Sequence, residues 1–165
     1  YLEEIIENKN FYLYDTFEGL DERYSSKFEQ LLSKTGTFDM PGLEAEVRKE
    51  FEKYNWIKVI RGVVPDILET ESPKQISFLH LDLNAGEAEI KALDTLFDRV
   101  NEGGIILLDD YGRLEHNQLF SNHNDWFANK GYRILELPTG QGMVIKRKIK
   151  NLDKKIKCAD LKSAH

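Results

Sequence analysis

Residues 76–112 read ISFLHLDLNAGEAEIKALDTLFDRVNEGGIILLDDYG. Two short apolar runs, each ending in carboxylate, flank a segment of helical period, the pattern of a strand, helix, strand crossover in a parallel sheet. Residues 77–81 form the first strand, with Asp82 at its carboxyl end. Asn84 and Glu87 have the spacing of a helix cap, so Asn84 reads as a cap rather than a ligand. Ile90, Leu93, Phe97 and Val100 make the apolar face of the crossover helix, which Gly103 and Gly104 close. Residues 105–108 are wholly apolar, as a parallel strand covered on both faces is, and Asp109-Asp110-Tyr111-Gly112 ends them. The acids therefore fall on the carboxyl edge, where open α/β sheets bind ligands.

The remaining composition is compatible with one globular domain. At 165 residues, 41% hydrophobic and 32% charged, the chain is long enough to bury a real core. Its net charge of −6 divides unevenly: residues 146–157 (KRKIKNLDKKIK) carry +6 and residues 1–145 carry −12. An acidic body repels a phosphate backbone, which argues against a nucleic-acid partner, and the basic tail reads as a solvated extension. The expected division is an α/β domain over residues 1–146 and a basic extension over residues 147–165. Cys158, the single cysteine, has no internal disulfide partner, and no elbow motif supports it as a nucleophile. No apolar run reaches the ~18 residues of a membrane span, and the acidic start YLEEIIENKN is unlike a signal peptide, so a cytoplasmic protein without a membrane partner is expected.

Along the chain, Leu2, Ile5 and Ile6 suit the last turns of a helix, and residues 11–14 a strand. Asp15-Thr16-Phe17-Glu18-Gly19 follows. An acid there can accept hydrogen bonds from vicinal ribose hydroxyls, while the spacing of Asp15 and Glu18 equally suits a capping pair. Residues 21–41 read as a loop with one helical turn around Phe28, Leu31 and Leu32. Leu43, Val47, Phe51 and Tyr54 recur at helical spacing. Residues 57–60 form the next strand, ended by Arg61 and Gly62, and Pro65 opens a short helix. A last helix carries Leu119, Phe120, Trp126 and Phe127 and stops at Gly131. Strands over residues 132–137 and 143–146 are joined by five residues, too few for a helical crossover, so they must be antiparallel.

The segments YDTFEGL, HLDLN and GGIILLDDYG, with the closing hairpin, resemble the class I S-adenosylmethionine-dependent methyltransferases, and among them the macrocin O-methyltransferase family, over residues 11–146. That resemblance implies a Rossmann-like α/β sheet of parallel strands ending in an antiparallel hairpin, and O-methylation of a small hydroxylated acceptor such as a sugar. It also implies a divalent cation, usually Mg2+, held by Asp82, Asp109 and Asp110. Asp82 would double as general base, and Asp15 and Gly62 would face the cofactor. A homodimer is compatible with it. Two departures stand out: the second acid of the family's LDxD pattern is Asn84 here, and no strand with a glycine-rich turn precedes Phe11. The first, normally central, strand is thus expected to be missing from this chain, which leaves a noncatalytic binding or assembly domain, or another nucleotide-dependent α/β enzyme, as alternatives.

Carboxylates at adjacent strand ends, about 4.8 Å apart, can converge on one hard cation. Of the other polar residues, His116 and His123 read as surface or cap residues, and His80, inside a strand, as a satisfied core or interlayer residue. Gln141 and Gly142 are placed to line the pocket from the hairpin.

Overall fold

The computed structural model describes residues 9–35, 42–113 and 117–148. The expected helix over residues 1–8, the loop at Gly36 and Pro41, His116, and the tail with Cys158 lie outside the described residues.

In chain order the elements are β1 (Phe11–Asp15), α1 (Lys27–Thr35), α2 (Leu43–Phe51), β2 (Ile57–Arg61), a 3-10 turn (Asp66–Glu69), β3 (Ile76–Leu81), α3 (Gly86–Leu96), β4 (Val100–Leu108), α4 (Asn117–Asn129), β5 (Leu135–Glu136) and β6 (Gly142–Ile145). Strands β1 and β2 pair in parallel. So do β3 and β4, while β6 runs antiparallel to both β4 and β5. The strands form two sheets, ordered β1-β2 and β3-β4-β6-β5. Among the described residues, no strand pairs with the second edge of β1 or of β3.

The core belongs mainly to the four-stranded sheet. Leu81, Ile106, Leu108 and Val144 meet Ala92, Leu93 and Leu96 of α3 and Phe127 of α4, all buried. Phe97, Trp126, Phe127 and Tyr132 stack edge to face, which adds about 0.5–1.5 kcal/mol per pair beyond their burial. No residue of α2 is fully buried. Tyr14 ties β1 to the segment before β3 by donating to the carbonyl of Glu71 (2.6 Å), and burial pushes its phenol up to about 12.

Several local expectations change. The crossover helix ends at Leu96, and Val100 already belongs to β4, so Gly103 and Gly104 lie inside that strand rather than closing the helix. The cause is an irregularity in the β3–β4 register: Ile76 pairs with Val100 but Phe78 with Ile105. The glycines continue the sheet, because the N–H of Gly103 donates to Lys146 O (2.7 Å) and that of Lys146 to Gly104 O (2.8 Å). Residues 27–35 form a nine-residue helix, not a single turn. Its start is a capping box, Ser26 N–H donating to Glu29 Oε2 and Glu29 N–H to Ser26 Oγ.

Candidate functional site

The carboxyl ends of β1, β2 and β3 surround one cavity of about 260 Å3, lined among others by Asp15, Gly62, Asp82, Asn84 and Ala88. It lies at the low end of the ~300–1,000 Å3 usual for small-molecule pockets. Asp15 is exposed at its rim, and its Oδ1 accepts the N–H of Phe17 (2.7 Å), turning the chain back on itself. No helix follows Asp15, so it and Glu18 are not a capping pair. Glu18 instead pairs with Arg61, which also reaches Glu44 (2.9 Å). Gly62 is explained by packing: a Cβ there would lie 2.8 Å from Ile67. That close approach lets the chain turn directly from β2 into the pocket wall.

The β3–β4 ladder extends one step beyond its strands, Asp109 N–H donating to Leu81 O (2.9 Å). Asp82 and Asp109 are thereby held side by side. Donor atoms of His80, Asp82 and Asp109 all lie within 4.8 Å of one another, and His80 Nε2 is 3.4 Å from Asp109 Oδ1. Burial, with the charges of Asp109 and Asp110 adding to it, pushes the Asp82 carboxyl above the ordinary carboxylate range. Asp110 is near but turned elsewhere: it is buried and its Oδ1 pairs with Arg113 Nε at 2.9 Å. His80 was expected in the core, yet its side chain is 40% exposed. Strand period explains this, since residues 80 and 82 are two apart and face the same side.

The loop carrying Asp82 is pinned from behind. Leu83 N–H donates to Glu89 Oε1 (3.1 Å), and Glu89 Oε2 lies 2.9 Å from Nε2 of buried His123. His123 was expected at the surface or at a cap. Helix α4 instead seats it against α3, where a buried carboxylate needs a partner. Asn84, expected to cap α3, adopts φ 54° and donates to Asp82 Oδ1 (3.3 Å), while Ala85 takes the cap position without a side-chain bond. The missing cap comes from α1: Glu29 Oε1 accepts Gly86 N–H at 2.8 Å. One carboxylate therefore caps its own helix with one oxygen and the crossover helix with the other.

On the far side, the hairpin loop closes over Asp109. Gln141 Nε2 donates to Asp109 Oδ1 (2.6 Å) and is oriented by Thr139 Oγ1, which donates to Gln141 Oε1 (2.9 Å). The approach depends on Gly142, where a Cβ would lie 2.7 Å from the Tyr111 ring. Gln141 thus reaches the acidic cluster, but neither it nor Gly142 lines the cavity of Asp15, Gly62 and Asp82 as expected.

The parallel crossovers, terminal antiparallel hairpin and acid-lined carboxyl edge define the class I methyltransferase fold. The model of the macrocin-O-methyltransferase (TylF) family matches residues 2–130, and the chain belongs to that family. The fold is similar to the O-methyltransferase NovP (16% identity, TM-score 0.71), covering 88% of this chain and 63% of NovP. It is also similar to the calicheamicin methyltransferase CalS11 (16% identity, TM-score 0.62, 82% of this chain and 60% of that one). The S-adenosylhomocysteine-bound methyltransferase PaMTH1 of Podospora anserina matches at 17% identity and TM-score 0.52, over 85% of this chain and 72% of that one. The chain thus spans less than two thirds of NovP and of CalS11. No curated protein matches it. Among the described residues, no helix is long and apolar enough to cross a membrane.

Proposed function

We propose that the chain carries the site of an S-adenosylmethionine-dependent O-methyltransferase that acts, with a divalent cation, on a hydroxyl of a small molecule, a sugar by its family resemblance. The observation that carries this reading is the continuity of one cavity from Asp15 and Gly62 to Asp82, whose carboxylate belongs to the His80–Asp82–Asp109 cluster. The acceptor class follows from the family and from CalS11, a methyltransferase of calicheamicin.

The donor set fits a dication: two carboxylates from adjacent strand ends, with room for water or acceptor oxygen. Asp82 and Asp109 would hold it, and a cation there supplies a lower pKa for an acceptor hydroxyl. Bound S-adenosylmethionine supplies a methyl group already activated as a sulfonium, released with cleavage of its S–C bond. Asp15 would accept hydrogen bonds from the cofactor's ribose hydroxyls. Asp82 would take the acceptor's proton. Burial first, and the charges of Asp109 and Asp110 with it, raise its affinity for protons, in the direction useful to a general base. Gln141 holds Asp109 in line, and Glu89 with His123 holds the loop of Asp82. Orienting the reactants supplies much of the rate, because the methyl donor needs no further activation.

The reading is tested by calorimetric titration of the full-length gene product with S-adenosylhomocysteine, with and without Mg2+. Binding in the micromolar range is expected. Absence of binding in both conditions would leave a binding or assembly domain, and sink the enzyme. With methyl transfer in hand, Asp109→Ala is expected to lower kcat at least ~100-fold, the scale of losing one preorganised charge in an active site.

A further inference from the structure

We infer that His80 is a cation ligand, so that Asp82, Asp109 and His80 form a mixed oxygen and nitrogen site that prefers a first-row transition dication such as Mn2+ to Mg2+. The inference rests on the cation reading above and changes its donor set. Resemblance to the family names three carboxylates, but Asp110 is buried and paired with Arg113, while an imidazole nitrogen takes the third place beside Asp82 and Asp109.

Three observations support it. The 3.4 Å between His80 Nε2 and Asp109 Oδ1 is close to the ~3.0 Å edge of an octahedron with bonds of about 2.1 Å. His80 and Asp82 stand two residues apart on β3, and Asp109 follows the neighbouring strand β4, so the backbone of one parallel pair sets all three donors. Asp109 Oδ1, the oxygen that faces His80, also accepts from Gln141 Nε2 at 2.6 Å, which fixes the carboxylate beside the imidazole. Imidazole suits Fe2+, Ni2+ and Zn2+, whereas Mg2+ favours hard oxygen and retains its waters; Mn2+, the weakest binder of the first-row series, is the mildest probe of that preference. Replacing one carboxylate by neutral imidazole also removes a negative charge, which lowers affinity for a hard dication held by charge alone.

The test uses Mn2+ as probe and the full-length protein. Electron paramagnetic resonance titration gives Mn2+ affinity, competition gives that of Mg2+, and electron spin echo modulation reports a directly bound nitrogen. Wild type is expected to bind Mn2+ at least about tenfold more tightly than Mg2+, with nitrogen modulation. That factor corresponds to about 1.4 kcal/mol. His80→Gln should abolish the modulation and reduce the preference several-fold, while Asp110→Asn changes neither. His80→Asp, which restores an all-oxygen set, should raise Mg2+ affinity. Bound Mn2+ without nitrogen modulation, or a preference untouched in His80→Gln, would overturn His80 as ligand and leave the cation site standing. Failure of wild type to bind either ion would overturn both. Because His80 is partly exposed, the Gln variant should fold as wild type does, and its circular dichroism spectrum checks this.

Discussion

The two sheets of this molecule differ in how they are held. Every fully buried hydrophobic among the described residues lies from Leu68 onward, in or against the β3-β4-β6-β5 sheet. The β1-β2 unit, with α1 and α2, contributes half-buried residues and one buried acid, Glu29. The proposed division of chemistry follows the same line. The cation donors and their supports stand on the packed sheet, whereas Asp15 and Gly62, the cofactor side, stand on the looser one. A site of this kind can keep its charge geometry rigid while the half that admits the cofactor adjusts.

The largest effect should come from breaking the packed side. Phe127→Ala removes a ring at the centre of the α3–α4 contact and is expected to cost about 3–5 kcal/mol, read as a fall in the urea midpoint. Val59→Ala, in half-buried β2, should cost about 1 kcal/mol or less. Equal costs would mean that the two sheets share one core after all.

A smaller effect tests the tie between them. Glu29→Ala removes a charge-assisted acceptor from Gly86 N–H and should cost about 1.5–3 kcal/mol, with faster hydrogen exchange at the Gly86 amide. Glu29→Gln keeps an acceptor oxygen and should lose less. Unchanged exchange in both variants would remove Glu29 from the support of the Asp82 loop.

The smallest effect concerns Asp82 without a divalent cation. Its proton affinity is raised in the folded state, so the fold favours the protonated form. The associated stability is present in full below the unfolded-state value, near 3.9, and is lost as pH rises through the higher folded value. In chelator, Asp82→Asn is therefore expected to have a higher Tm than wild type at pH 7 and the same Tm below that range. Added Mn2+ should reverse the order at pH 7. A variant less stable than wild type at pH 7 in chelator would show that Asp82 is not under electrostatic strain.

Much of this was legible in order along the chain. The alternation of apolar runs and helical periods was enough for both parallel pairs, and the five-residue linker for the antiparallel hairpin, because these depend on spacing alone. Asp82 and Asp109 were legible because each ends a strand. Capping was not. Asn84-x-x-Glu87 has the required spacing, yet a carboxylate 57 residues away fills the role. The Ser26-Glu29 capping box, a local signal for α1, was present and went unread. His80 was misplaced although period 2 places it beside Asp82, and Asp110 has the sequence neighbours of a ligand but turns toward Arg113.

By itself, then, the sequence determined the order of most elements, their parallel or antiparallel sense, the family and the two acids at adjacent strand ends. These follow from periodicity and from short linkers, which constrain neighbours in the chain. Only the tertiary structure decided that the strands lie in two sheets of unequal packing, that Glu29 caps α3, that His123 backs Glu89, and which side chain stands third beside Asp82 and Asp109. Those are contacts between distant segments. They depend on which rotamers and partners packing leaves available, and no local pattern encodes that competition.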